Sequence, residues 1–64
     1  HHVSFRRAIY PNADLSKGDL LIEGNLCTLR PNIGIDARDW DKVIGKRINR
    51  NILKHEPLDW SYLD

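Results

Sequence analysis

The sequence predicts a small, mainly β domain of irregular architecture, with short strands, many turns and one short helical segment. Three observations support this fold class. Runs of β-favouring residues are short and are interrupted by Gly, Pro, Asn and Asp. A segment of eight residues occurs twice in related form, which indicates two similar structural units. Helix-type signals are confined to residues 36–45.

The composition fits one folded domain without covalent cross-links. The chain has 64 residues, so it has room for a single, thin hydrophobic core. Apolar residues make up 41% and charged residues 30%, which argues against disorder. Cys27 is the one cysteine, so no intrachain disulfide can form, and we expect a reducing, cytoplasmic compartment. We assign residues 1–4 to a tag remnant or linker and residues 5–64 to the domain.

Charge and hydropathy exclude two classes of partner. The net charge is +1, and basic residues alternate with acidic ones instead of forming a basic stripe with interleaved aromatic residues. We therefore expect no nucleic acid partner. No apolar run approaches the length needed to cross a bilayer, so no membrane partner is expected either.

Four strands are predicted, over residues 4–10, 20–22, 26–29 and 47–52. The first is expected to end at Pro11. The last alternates polar and apolar residues with a period of two, which places Ile48 and Ile52 on the buried face. Beyond it, the C-terminal tail is expected to dock a Trp or Leu side chain onto the body and to leave Asp64 in solvent.

Residues 36–45 predict a short helix. Asp36 is a suitable N-cap, Asp39 places a second carboxylate in the first turn, and Gly45 suits the C′ position. An apolar stripe faces the core and consists of Trp40, Val43 and Ile44. We do not interpret Asp36, Asp39 and Asp41 as a metal site, because in a helix only Asp36 and Asp39 share a face and capping explains both.

The repeat pairs residues 14–21 with residues 51–58 and suggests two strand-turn-strand units related by a pseudo-twofold axis. Gly18 in the first unit is suited to a turn with positive φ, and His55 takes its place in the second. Histidine tolerates left-handed geometry better than a β-branched residue, so His55 is interpreted as a turn residue. No metal or catalytic role is assigned to it.

Catalytic signatures are absent from the sequence, which has no glycine-rich phosphate loop, no Cys/His metal spacing and no nucleophile placed beside a base by motif. We assign no catalytic and no metal-binding residue, and we predict that the domain alone is not an enzyme. Arg30 is the candidate functional residue. It follows apolar Leu29, and Pro31 restricts it to extended conformations, which aims the side chain. A structural arginine that binds loop carbonyls is the alternative.

Five blocks together resemble the C-terminal antifreeze-like domain of bacterial sialic acid synthases, the N-acetylneuraminate synthase family. They lie at residues 5–9, 14–19, 29–35, 43–46 and 50–52. That domain belongs to the SAF group, which also contains the type III antifreeze proteins. The resemblance implies a small β-clip fold with pseudo-twofold short strands and short helical turns.

The resemblance also implies a function. In the synthases this domain accompanies a (β/α)8 barrel that condenses phosphoenolpyruvate with N-acetylmannosamine or a related amino sugar, using a divalent metal, Mn or Mg, held by the barrel. The parent chain would be a transferase and a swapped homodimer, with no cofactor on the small domain. Arg30 would bind the amino sugar in trans, at the partner's barrel, with Pro31 and Asn32 as positioning residues. Asn32 stands where many relatives carry glycine, a substitution compatible with left-handed geometry.

Two alternatives remain open. In the first, the chain is a non-catalytic SAF module, free-standing or attached to another enzyme, that binds carbohydrate or protein. Ice binding, as in the type III antifreeze proteins, needs a flat and largely uncharged surface. Lys17, Asp19 and Glu23 interrupt that surface here.

Overall fold

Two short antiparallel strands form a two-stranded sheet in the computed structural model, which describes residues 6–64. β1 spans Ala8–Pro11 and β2 spans Leu26–Leu29, with Ala8 opposite Leu29. The bounds predicted for β2 are confirmed. β1 is shorter than predicted and includes Pro11, which is tolerated because it ends the strand. The predicted start of this strand at residues 4–5, and the linker before it, lie outside the described residues.

The helical segment begins as a 3₁₀ turn over Ala37–Asp39 and continues as α1, Trp40–Val43. Asp36 is the N-cap, as predicted, and its side chain accepts a hydrogen bond from the backbone N–H of Arg38 at 2.9 Å. Val43 is fully buried, and the other two residues of the predicted stripe pack against the core. Gly45 adopts a φ of +91°, as its predicted place after the helix requires.

The two copies of the repeat pair with each other. Leu15 and Ile52, which occupy equivalent positions, exchange two backbone hydrogen bonds of 2.7 and 2.9 Å. The turn that follows each of them contains a residue with positive φ, Gly18 at 93° and His55 at 63°. The predicted pseudo-twofold relation and the predicted turn role of His55 are both confirmed.

Side chains reinforce this pairing symmetrically. The carboxylate of Asp14 accepts a hydrogen bond from the backbone N–H of Lys54, and the amide oxygen of Asn51 accepts one from that of Lys17, both at 2.8 Å. Each residue therefore binds the turn of the opposite copy. We call these two hydrogen bonds the reciprocal clamps.

One core joins the two halves. Its fully or almost fully buried members come from every part of the described chain: Ile9, Leu15, Leu21, Leu26, Ile35, Val43, Ile48, Ile52 and Leu58. Equivalent residues of the two repeats, such as Leu21 and Leu58, both have 0% exposure. Neither half could bury these side chains without the other.

The predicted buried strand at residues 20–22 is wrong. Only Leu21 is buried there, while Leu20 and Ile22 are 39% and 47% exposed. The side chain of Asn25 accepts a hydrogen bond from the N–H of Ile22 and donates one to the carbonyl of Leu20. These bonds satisfy the backbone locally and turn it into the 3₁₀ segment Glu23–Asn25 instead of a ladder.

The predicted strand at residues 47–52 is also absent as a continuous element. Ile48 and Ile52 are buried as expected, but they make isolated bridges to different segments, Leu63 and Leu15. The chain bends between them, where the Asn49 side chain donates to the carbonyl of Ser61. The alternation of polar and apolar residues therefore predicted which side chains are buried, but these residues do not pair with one common strand.

The C-terminal tail forms a 3₁₀ turn over Trp60–Tyr62, capped by Asp59. Hydrogen bonds from the hydroxyl and N–H of Ser61 hold the pKa of Asp59 below its ordinary value. Leu63 and Tyr62 pack against the core, whereas Trp60 is exposed. The tail therefore docks through leucine, one of the two predicted residue types. Asp64 is exposed, as predicted.

We expect the reciprocal clamps to contribute equally to stability. Asp14→Ala and Asn51→Ala should each lower the free energy of unfolding by about 1 kcal/mol, because each leaves one turn N–H without its acceptor. Urea denaturation measures this change. Lys17→Ala and Lys54→Ala are matched controls, since they keep both N–H donors and should change stability little. Equal effects of the clamp and control variants would show that the clamps do not stabilise the pairing.

Candidate functional site

Arg30 lies in the loop that connects β2 to the helical segment, over residues 30–35. The residue is exposed, and its peptide bond to Pro31 is cis. The sequence indicated only that Pro31 would restrict Arg30; the cis bond is a feature that the residue pattern did not reveal. The loop therefore presents a cationic side chain directly after the sheet.

The first half of the loop is held by a buried tyrosine. Tyr10, on β1, is 4% exposed, and its hydroxyl donates a hydrogen bond to the carbonyl oxygen of Pro31. The same oxygen accepts the backbone N–H of Ile33 at 2.9 Å, which closes a tight turn. The backbone just after Arg30 is thus tied to the sheet by a side chain with little freedom to move.

The second half of the loop is held by the second repeat and by β1. The N–H of Ile35 donates to the carbonyl oxygen of Leu58 at 3.2 Å, and the carbonyl of Ile35 accepts from the N–H of Ile9 at 2.8 Å. Gly34, with a φ of +86°, makes this approach possible. A Cβ atom at Gly34 would lie 2.2 Å from the Leu58 carbonyl oxygen, which is a severe steric clash, so any side chain here would force the backbone apart.

Asp36 links the loop to its surroundings. One carboxylate oxygen accepts hydrogen bonds from the Asn32 amide and the Arg6 guanidinium, both at 3.3 Å. The guanidinium Nε of Arg38 lies 3.8 Å from that oxygen. The hydrogen bond from the backbone N–H of Arg38 is the main reason why the pKa of Asp36 lies below its ordinary value. Both arginine charges and the Asn32 amide act in the same direction, against partial desolvation. Asp36 is therefore held as a carboxylate, the form that accepts these bonds.

Asn32 does not use the left-handed geometry that its glycine-like position suggested. Among the non-glycine residues between 6 and 64, positive φ occurs at His55 alone. Asn32 contacts the loop's surroundings through its side chain instead, by the hydrogen bond to Asp36. The positioning role of Asn32 stays a prediction, with this hydrogen bond as its physical route.

Arg30 borders an open cleft of about 320 Å³. The cleft combines residues from β1, from the end of β2 and its loop, and from the second repeat: Tyr10, Leu29, Arg30, Pro31, Ile33, His55 and Pro57. Most of these side chains are apolar, and Ile33 is 53% exposed. Such a surface can contact an apolar group while the guanidinium donates hydrogen bonds to nearby oxygen atoms.

Tyr10, His55 and Pro57 lie outside the segment around Arg30, and sequence reasoning did not assign them to this cleft. The repeat identified His55 correctly as a turn residue, but nothing in the repeat pattern shows which turn lies beside Arg30. The hydrogen bond from the His55 N–H to the carbonyl of Pro11, at 2.9 Å, brings this turn to the end of β1. Proximity between these segments is a consequence of tertiary packing.

No metal-binding arrangement is found within residues 6–64, where no three His, Cys, Asp or Glu side chains could share an ion. Asp39 pairs with Lys42 at 3.6 Å, and Asp36 is committed to the loop. The same residues include no helix with the length and apolar character needed to span a bilayer.

Comparison with known proteins gives concordant results. The family model of the SAF domain matches residues 6–64. Pseudaminic acid synthase of Helicobacter pylori is 30% identical over 54 residues, covering 84% of this chain and 16% of the relative. N,N'-diacetyllegionaminic acid synthase of Campylobacter jejuni is 35% identical over 51 residues, covering 80% of this chain and 15% of the relative. The chain thus spans about one sixth of the length of these relatives.

A solved structure shares the fold. It is the solution structure of an antifreeze-protein-like domain in human N-acetylneuraminic acid phosphate synthase, with a TM-score of 0.84. The match covers 89% of this chain and 73% of that domain, at 14% sequence identity. The predicted antifreeze-like fold, mainly β with short helical turns, is confirmed.

The close approach at Gly34 predicts a position-specific effect of alanine. Gly34→Ala should lower the free energy of unfolding by about 3 kcal/mol, since it combines a left-handed alanine with a collision against the Leu58 carbonyl. Gly18→Ala and Gly45→Ala are matched controls: both positions have positive φ but open space around the Cβ. Each should cost about 1 kcal/mol in thermal or chemical unfolding. Equal costs at the three positions would contradict the tight closure of the loop.

Proposed function

Since this chain belongs to the SAF domain family, we propose that it is the accessory substrate-binding domain of a nonulosonic acid synthase. The parent enzyme condenses phosphoenolpyruvate with N-acetylmannosamine or a related amino sugar. The named synthases that resemble this chain support the assignment. The observation that carries it is the placement of Arg30 on a firmly held loop beside an open, mostly apolar cleft.

The chemistry of the cleft suits an acylated amino sugar. The guanidinium offers several N–H donors in a rigid plane, which matches the oxygen atoms of an acetamido or hydroxyl group. Apolar walls such as Leu29 and Ile33 offer contact to a methyl group or to the carbon face of the sugar. Pro31, Tyr10 and Asn32 limit the movement of the loop, so Arg30 loses less conformational entropy when it binds.

The open shape of the cleft supports a shared site. A domain of this size offers one wall to a ligand and cannot enclose it. We assign the remaining walls to the barrel of the partner subunit in a homodimer, so that Arg30 acts in trans. We assign the divalent metal, Mn or Mg, to that barrel as well. We also propose that the reaction takes place in the cytoplasm.

A SAF module outside a synthase is the alternative, and it would use the same cleft for another carbohydrate or for a protein. The sequence that precedes residue 5 in the parent gene distinguishes the two, since a barrel there supports the synthase. Ice binding is disfavoured by the exposed positions of Lys17, Asp19 and Glu23.

In the full-length enzyme, Arg30→Ala should raise the KM for the amino sugar roughly 10- to 100-fold, the loss expected for a charged hydrogen bond. The KM for phosphoenolpyruvate and the unfolding temperature should change little. Steady-state kinetics with each substrate varied in turn measures the effect.

Arg50→Ala is the matched control for the Arg30 variant. It removes an arginine that stacks on Tyr62, 4.5 Å from the ring centre, away from the cleft lining. It should leave both KM values unchanged. A normal amino-sugar KM and kcat in Arg30→Ala would refute the assignment of Arg30.

A further inference from the structure

His55 occupies a backbone conformation that favours glycine. Its φ is 63°, and the equivalent residue of the first repeat is Gly18, with a φ of 93°. A non-glycine residue in this region costs on the order of 1 kcal/mol relative to an unstrained conformation. Residues in such conformations cluster at functional sites.

The turn itself does not use the imidazole. It is closed by the carboxylate of Glu56, which accepts the N–H of Leu53 at 3.0 Å, and by backbone bonds from Glu56 to Leu53 and from His55 to Pro11. Within residues 6–64 the ring of His55 makes no hydrogen bond or ion pair. Glycine would form the same backbone bonds, as Gly18 does in the other repeat.

The two turns differ in what surrounds them. His55 lines the cleft beside Arg30 and is exposed. At Gly18 a Cβ atom would meet nothing within 4 Å, and the turn's carbonyl accepts the Arg47 guanidinium at 2.9 Å. Of the two turns, only the one that lines the cleft therefore carries a side chain at the position with positive φ, and this residue is His55.

We propose that His55 is a second substrate-binding residue of this cleft, whose imidazole donates a hydrogen bond to an oxygen atom of the acylated amino sugar that Arg30 binds. The proposal rests on the proposed function and extends it. His55 adds binding energy and acceptor selectivity; it transfers no proton. The chain then contacts its ligand from two sides of the cleft, through the loop after β2 and through the turn of the second repeat.

The test uses His55→Gly in the full-length enzyme. Glycine relieves the left-handed strain, so the variant should fold with an unfolding temperature close to that of the wild type. The KM for the amino sugar should rise roughly 3- to 10-fold, as expected for the loss of one hydrogen bond. The kcat and the KM for phosphoenolpyruvate should stay unchanged, because the contact is made equally in the ground and transition states.

Gly18→His is the matched control. It places the same residue at the equivalent turn, away from the cleft, and should reduce stability without changing the amino-sugar KM. An unchanged amino-sugar KM in His55→Gly, together with a raised KM in Arg30→Ala, would overturn the role of His55 and leave the proposed function intact. If the wild-type enzyme does not condense phosphoenolpyruvate with an amino sugar, both proposals fail.

Discussion

The mutual pairing of Leu15 with Ile52 is the contact on which the rest of the structure depends. Through it the two related halves share one core, since each half presents apolar side chains that it cannot bury alone. The same association brings the second repeat, including Leu58, against the loop that carries Arg30. A chain without disulfides thus obtains a rigid site from the contact between its halves.

The Arg30 loop is held at three points of different chemistry. A buried phenol binds the carbonyl after the arginine, a carboxylate binds the Asn32 amide, and a glycine allows the backbone to reach Leu58. Each contact comes from a separate part of the sequence. Such support reduces the entropy lost on binding, as the shared site that we propose requires.

Much of this organisation could be predicted from the sequence. Neighbouring residues in the sequence determine the features that were predicted correctly: the repeat, the turn at Gly18, the cap at Asp36 and the strand at residues 26–29. The strand predicted at residues 20–22 is absent because the Asn25 side chain binds backbone groups of Leu20 and Ile22, which competes with ladder formation. The strand predicted at residues 47–52 is absent because its two buried residues bridge to two different segments. His55 was assigned its turn but not its place beside Arg30, since that proximity arises only when the halves associate.

In the function that we propose, this domain acts through the residues that it presents to another domain. In the proposed function Arg30, on a loop held by β1 and by the second repeat, completes an amino-sugar site whose remaining walls belong to the barrel of a partner subunit. The most direct test is a crystal structure of the full-length protein with the amino sugar bound. We predict the Arg30 guanidinium at about 3 Å from an oxygen atom of the sugar, in the barrel of the neighbouring subunit. An Arg30 side chain directed into solvent, or into the barrel of its own chain, would contradict the account.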